Sequence, residues 1–170
     1  MKYVKILVAI LGVALLAVQF IHPAKNRSQP APGSGIESAF PVPGHVMQIF
    51  RRSCFDCHSD STVYPWYAEI QPFGWWLNSH IEDGTRHLDF DRFASYRPVR
   101  QYVKFKDIVE QLQQDEMPLR SYLFIHRYAR LTPDEKEEVI RWSGAMMDSI
   151  RARSPADSLA GKRPDARPGR

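Results

Sequence analysis

The sequence predicts an all-α fold, and three observations support that expectation. Apolar residues recur at helical spacing through the middle of the chain. No segment alternates apolar and polar residues over the length of a strand, and no Asn-Gly or Asp-Gly hairpin joins two such segments. A complete helix-start signal stands at Thr132, where Pro133 and Glu135 follow at the spacing of a capping box.

Four helices are expected in the body of the chain. The first has one apolar face, which runs into a cysteine motif and consists of Val46, Ile49, Phe50 and Cys54. The second opens at Pro72 and stops at Gly84, because proline favours the first turn of a helix and glycine its end. Its large apolar positions are Trp75, Trp76 and Ile81.

The last two expected helices are longer. The third ends before Pro118, and its apolar positions are Val99, Tyr102, Val103, Ile108, Val109 and Leu112. The fourth follows the capping box, and its buried face is expected to contain Val139, Trp142, Met146 and Ile150.

An export signal opens the chain, with Lys2 and Lys5 before an apolar run from Ile6 to Ile21. A helix over this run rises roughly 24 Å, short of a bilayer core of about 30 Å. Neighbouring residues and a snorkelling Lys5 can extend it. We therefore predict a signal anchor or transmembrane helix over residues 1–22, with a cleaved signal peptide as the alternative. Basic residues on both sides leave its orientation ambiguous.

Composition divides the remainder of the chain. Residues 23–39 are rich in Pro, Gly and Ser and predict a flexible linker, residues 40–151 a folded domain, and residues 152–170 a disordered basic tail. The formal net charge of +4 comes from the two ends of the chain, since the body has more acidic than basic residues. This distribution argues against nucleic acid as a partner of the fold.

The stretch SCFDCHSD contains both cysteines of the chain, Cys54 and Cys57, with His58 directly after the second. A thioredoxin-type redox pair would need a strand before the motif, and strand signals are weak. A structural zinc site would need a second cluster of ligands, whereas the other histidines are scattered. Attachment of a c-type haem uses every residue of the motif, with two thioethers and His58 as the proximal iron ligand.

This interpretation also has a geometric basis. Residues three apart on a helical turn share one face, so both sulfurs can reach the two vinyl groups of one porphyrin. We expect one covalent haem c, and a small cytochrome c-like helical domain around it. Covalent attachment in bacteria takes place outside the cytoplasm, which predicts a periplasmic or otherwise extracytoplasmic domain anchored at the inner membrane.

The sixth iron ligand has several candidates. The first candidate is Met117, which stands in a Met-Pro loop before the last helix, where small cytochromes c place a methionine ligand. The alternative is that Met117 only fills a gap in the core. His80 is the main rival, and His87 a weaker one. His45 and His126 are expected to be structural. A further alternative is a sixth position that is open to an external ligand, in a sensor or peroxidase.

Three tryptophans are expected to line the haem pocket, or else an ordinary core: Trp66, Trp75 and Trp76.

The chain resembles the bacterial haem-binding domain family of exported proteins with one CxxCH motif. The resemblance rests on the residues after the motif, STVYPWYAEIQPFGWWLNSHIEDGTRHLDFDRF, on the segment DEMPLRSYLFIHRYARLTPDEKEEVIRW, and on QFIHPAKN near the N-terminus. It implies a membrane-associated protein with a single c-type haem. Cys54, Cys57 and His58 match the family's motif, and Met117 matches its Met-Pro position.

The function expected is electron transfer between the membrane and soluble redox partner proteins, without catalysis of bond making. The alternative is a haem-based sensor or a small peroxidase, which would need an open or displaceable sixth ligand.

Overall fold

The structure is a computed structural model that describes residues 1–154. These residues are mostly helical and form no strand, which confirms the predicted all-α class. One isolated antiparallel bridge joins Arg27 to Ser61. The helices are α1 (Lys2–Val18), α2 (Ile36–Ala39), α3 (Gly44–Ser53), α4 (Phe55–His58), α5 (Phe73–His87), α6 (Pro98–Gln113), α7 (Arg120–Ile125) and α8 (Pro133–Arg153). Short 3-10 helices cover Trp66–Glu69, Phe90–Ser95 and Arg127–Ala129.

The described chain divides into two compact units. The first comprises residues 1–30 and 55–90, and the second residues 31–54 and 91–154 of the described chain. Cys57 and His58 thus belong to the first unit, whereas Cys54 is the last residue of a segment of the second.

The second unit is built around α6 and α8 with an aromatic core. Phe105 lies edge-on to both Phe40 and Trp142, with ring centroids 5.1 Å and 5.4 Å apart. Phe50 from α3 contacts Trp142 in the same manner at 5.6 Å. The indole of Trp142 donates to the Pro41 carbonyl at 3.2 Å, so its polar atom is satisfied inside the core. The apolar face predicted for α3 is confirmed for Val46, Ile49 and Phe50, which are buried, whereas Cys54 follows the helix as its C-cap and is half-buried.

The start of α8 confirms the predicted capping box. Thr132 Oγ1 accepts from the Glu135 backbone N–H at 3.2 Å, and Glu135 Oε2 accepts from the Thr132 N–H at 2.8 Å. Arg52 also donates to Glu135, at 2.8 Å. The Thr132 N–H and then the Arg52 guanidinium hold the pKa of the Glu135 carboxyl below its usual range.

This lowered pKa predicts a pH dependence of stability. Because the pKa of Glu135 is lower in the folded than in the unfolded chain, its contribution is present above the unfolded value of about 4.3 and disappears as pH falls through the folded value. We expect Glu135→Gln to lower the free energy of unfolding by about 1 kcal/mol at neutral pH, and the gap to close in acid. Urea titrations at several pH values measure it. Glu137→Gln, an exposed carboxylate on the same helix, is the control; equal losses in both variants would contradict the prediction.

The first unit has a smaller core. Leu77 and Ile81 of α5 pack with Tyr67 and Ala68 of the preceding 3-10 helix, and Cys57 lies against this cluster. The helix α5 begins after Pro72, as predicted. Its predicted end at Gly84 is wrong, because the helix continues to His87.

The N-terminal helix α1 has no buried residue. Among residues 1–154 no helix is both long and apolar enough to cross a membrane, so the predicted transmembrane helix is not supported.

The segment predicted to be a linker makes contacts in both units. In the first unit, Lys25 forms an ion pair with Glu69, and the Ser28 N–H donates to the Asp60 carbonyl at 2.9 Å. In the second unit, Ile36 is fully buried. The composition of residues 23–39 did not reveal this packing. The predicted disordered tail begins too early, because Ala152 and Arg153 are the last residues of α8; residues 155–170 of that tail lie outside the described residues.

Candidate functional site

The cysteine motif follows the end of α3. Cys54 is the C-terminal cap of that helix, and its N–H donates to the Phe50 carbonyl at 2.8 Å. Phe55 then starts the single turn of α4, which carries Cys57 and His58. Both cysteines are half-buried, and neither forms a disulfide in the described chain.

The His58 ring is held by two backbone carbonyls from the end of α5. Its Nδ1 lies 3.0 Å from the Gly84 oxygen and 3.0 Å from the Leu88 oxygen. Carbonyl oxygens only accept, so Nδ1 carries the proton and the lone pair of the neutral ring is on Nε2. A metal-ligating histidine is usually oriented in this way, with its other nitrogen donating to a fixed acceptor. His58 therefore has the tautomer that a proximal iron ligand needs.

Gly84 allows the backbone of α5 to approach the motif. A Cβ atom at this position would lie 2.3 Å from the Cys57 carbonyl oxygen, well inside van der Waals contact. Glycine is thus required by a close approach, and the helix need not end there. The same residue presents its carbonyl to His58, so one turn of α5 determines both the position of Cys57 and the orientation of the histidine ring.

The electrostatics of Cys57 disfavour a redox-active pair. Burial, and secondarily the Asp56 carboxylate, raise the pKa of the Cys57 thiol to about 11. Redox-active and nucleophilic cysteines instead have lowered pKa values, because the thiolate is the reactive form.

The loop after the motif is tied to α4. Thr62 Oγ1 donates to the Asp56 carbonyl at 2.7 Å, and the Asn26 side chain donates to Thr62 Oγ1 at 3.1 Å. Sequence reasoning missed Asn26, Thr62 and the role of Gly84. The motif HPAKN, which resembles the family's N-terminal segment, was the available signal for Asn26.

Aromatic rings that sequence reasoning did not single out lie beside the motif. Phe55 stacks on Phe90 with centroids 5.1 Å apart, and Phe90 meets the His58 ring edge-on at 6.4 Å. The tryptophans proposed for the pocket wall are exposed: Trp66 by 74%, Trp75 by 36% and Trp76 by 37%. The Trp75 indole donates to the Ile21 carbonyl at 2.8 Å. Their role toward haem stays a prediction.

The candidate sixth ligands occupy different places. His80, on α5, has Nδ1 2.8 Å from the Trp76 carbonyl, and His87 is exposed at the end of the same helix. Met117 is half-buried between α6 and α7, in the second unit. None of these roles is tested by the contacts, and each stays a prediction.

The two histidines expected to be structural both have protein partners. His126 is buried and stacks on Tyr122 at 4.2 Å, with Nδ1 3.0 Å from the Tyr128 hydroxyl. His45 pairs with Glu138 at 2.5 Å.

The donor set fits haem better than a bare metal ion. Within residues 1–154, no group of three or more His, Cys, Asp or Glu side chains is placed to hold a metal ion. Zinc needs four such ligands, whereas c-type haem needs the two thiols and one axial histidine present here. The sequence profile of the haem-binding domain family matches residues 13–145.

The chain belongs to the haem-binding domain family. Haem is accordingly its cofactor. Comparisons with curated proteins and with solved structures gave no match. The family match begins within α1, so it includes residues 19–30, which belong to the same unit as Cys57 and His58.

Proposed function

We propose that this haem-binding protein is a mono-haem c-type electron carrier, with haem attached through Cys54 and Cys57 and His58 as proximal ligand. The orientation of His58 carries the proposal. Its Nδ1 proton is engaged by the Gly84 and Leu88 carbonyls, which leaves Nε2 as the ligating nitrogen. The hydrogen bonds to two carbonyls also raise the basicity of the ring, which favours iron coordination.

The attachment chemistry needs only the two thiols and the two vinyl groups. Each thiol would add across one vinyl double bond: the S–H bond and the π bond would be replaced by a carbon–sulfur bond and a carbon–hydrogen bond, which is redox-neutral. No oxidant or reductant is consumed. When bound, the haem supplies a one-electron iron couple whose potential depends on the axial ligands, burial and hydrogen bonding.

The protein contributes orientation in this proposal. The carbonyls at the end of α5 orient His58, and Cys57 packs against Leu77, Ile81 and Tyr67. An iron ligand that is held in one orientation moves little when the iron changes its oxidation state, which suits electron transfer. We therefore propose redox partner proteins and no bond-making catalysis.

The proposed location is outside the cytoplasm. Lys2, Lys5 and the following apolar run are typical of an export signal, and attachment of c-type haem in bacteria takes place after export. Exported cysteines tend to form disulfides, and in the mature protein the thioethers would prevent that.

The experiment that tests this function is a pyridine haemochrome spectrum of the full chain, expressed with a haem-maturation system. The expected result is the spectrum of haem with two thioether bonds, at one haem per chain, which persists after denaturation and organic extraction. Haem that is fully extracted, or a chain that takes up none, would contradict the proposal.

The sixth ligand can be assigned with two matched variants. We expect Met117→Ala to change the axial-ligand absorption bands, to admit CO, and to lower the midpoint potential, because a thioether stabilises ferrous iron. His80→Ala is expected to leave all three unchanged. Spectral changes in His80→Ala alone would instead indicate two histidine ligands. If neither variant differs and the unmodified protein binds CO readily, electron transfer loses its support and a sensor or peroxidase is favoured.

A further inference from the structure

Asn26 joins the chain that follows α1 to the loop that follows the cysteine motif. Its side-chain Nδ2 donates to the Ser59 carbonyl at 2.8 Å and to Thr62 Oγ1 at 3.1 Å. Its backbone N–H donates to the Tyr64 hydroxyl at 2.7 Å, and its carbonyl accepts from the Thr62 N–H at 3.1 Å. One residue therefore contacts three positions of the loop. All of these residues belong to the first unit.

The loop in turn donates a hydrogen bond to α4, a helix that is too short to be stable alone. α4 has a single turn, and a helix this short leaves its last carbonyls without intrahelical partners. The Thr62 hydroxyl supplies one, donating to the Asp56 carbonyl at 2.7 Å. A hydroxyl has one hydrogen, so toward Asn26 it acts as acceptor. The amide of Asn26 thus directs the only hydrogen of Thr62 to the backbone beside Cys57.

We propose that Asn26 is a positioning residue for haem attachment. Through Thr62 and Ser59 it holds α4, and with it Cys57 and His58, in the arrangement in which the thiol and the imidazole meet the cofactor. The inference rests on the proposed c-type attachment. It adds that Asn26, a residue outside the CxxCH motif, affects how completely haem becomes attached.

Asn26→Asp is the sharpest variant because it preserves the size of the side chain and leaves the backbone hydrogen bonds in place. The carboxylate cannot donate to Ser59, and it competes with the Asp56 carbonyl for the Thr62 hydrogen. Asn26, Thr62 and the Asp56 carbonyl form one hydrogen-bonded path. Thr62→Val breaks this path at Thr62, with a side chain of similar shape. Gln48→Glu, on the exposed surface of α3, is the control for a change from amide to carboxylate.

The first measurement is the ratio of haem-free to haem-bearing chain, by intact mass of the full protein matured under identical conditions. Loss of one or two hydrogen bonds is expected to raise this ratio about tenfold in Asn26→Asp and in Thr62→Val. Gln48→Glu should match the unmodified protein. Because both changes act on one path, the double variant should show less than the product of the two single effects.

The second measurement separates positioning from a general loss of stability. The haem-bearing fraction of each variant is purified, and its midpoint potential and axial-ligand bands are recorded. Positioning predicts a shifted potential and altered axial-ligand bands in both Asn26→Asp and Thr62→Val. A residue that only stabilises the fold would lower the free energy of unfolding and leave both spectroscopic quantities unchanged.

Two results would overturn the inference. Unchanged attachment, potential and bands in Asn26→Asp would remove it while leaving the proposed function intact, because the unmodified chain would still bear covalent haem. Multiplicative, independent effects of Asn26→Asp and Thr62→Val would exclude a shared path. A chain without covalent haem before any substitution would refute the proposed function itself, and this inference with it.

Discussion

Replacing Gly84 by alanine is expected to destabilise the protein and to prevent most haem attachment. The added Cβ would lie 2.3 Å from the Cys57 carbonyl oxygen, and the contact is to backbone, so no side-chain rotation can relieve it. Either α5 or α4 must move. Overpacking of this kind costs about 1–3 kcal/mol. The same movement withdraws the Gly84 carbonyl from His58 Nδ1, so the ring loses part of its orientation.

Two other glycines provide matched controls. Gly144 lies inside α8, and an added Cβ would meet nothing within 4 Å. Alanine there should raise the free energy of unfolding by about 0.5–1 kcal/mol, since glycine is a poor residue for a helix interior. Gly74 stands in the first turn of α5, where a Cβ would lie 2.2 Å from the Ala68 carbonyl. Gly74→Ala should destabilise the fold and leave the two carbonyl contacts of His58 in place.

Urea unfolding and haem stoichiometry together test the Gly84 prediction. We expect Gly84→Ala and Gly74→Ala to unfold at lower urea, and Gly144→Ala at higher urea, than the unmodified chain. Among haem-bearing proteins, only Gly84→Ala should show altered axial-ligand bands. If Gly84→Ala resembles Gly144→Ala in stability, the close approach of α5 to Cys57 is contradicted.

The features that sequence could predict are those set by neighbours along the chain. The capping box at Thr132 and Glu135 is complete within four residues, so its presence in the structure follows from local chemistry. The apolar face of α3 follows from the spacing of its apolar residues alone. The same spacing runs up to the cysteine motif and so indicates where the helix ends. The family resemblance likewise rested on continuous stretches of sequence, and the family match confirms it.

The features that sequence could not predict depend on contacts between distant residues. Gly84 has the chemistry of a helix stop, but it lies inside α5, and glycine is required there because the backbone of Cys57, distant in the chain, approaches it. Asn26 stands in a stretch whose composition is typical of a linker, and its hydrogen bonds to Ser59 and Thr62 give it an ordered position. Composition averages over a segment and therefore misses a single residue that anchors it.

Changing both cysteines to serine is expected to have the largest effect on the cofactor. Serine is close to cysteine in size, but it has no sulfur and therefore cannot form a thioether with a vinyl group. The double variant Cys54→Ser, Cys57→Ser should therefore carry no haem that survives denaturation. Because a haem would form a large part of the apolar core, the apo-protein is also expected to unfold at lower urea.

Single variants separate covalent attachment from binding. Cys54→Ser and Cys57→Ser should each retain haem through one thioether, with the absorption maximum of the pyridine haemochrome displaced toward that of a haem with one free vinyl group. Ser53→Ala, beside the motif, serves as control. Intact mass under denaturing conditions decides the outcome, and full haem retention in the double variant would mean that the cysteines are not the attachment points.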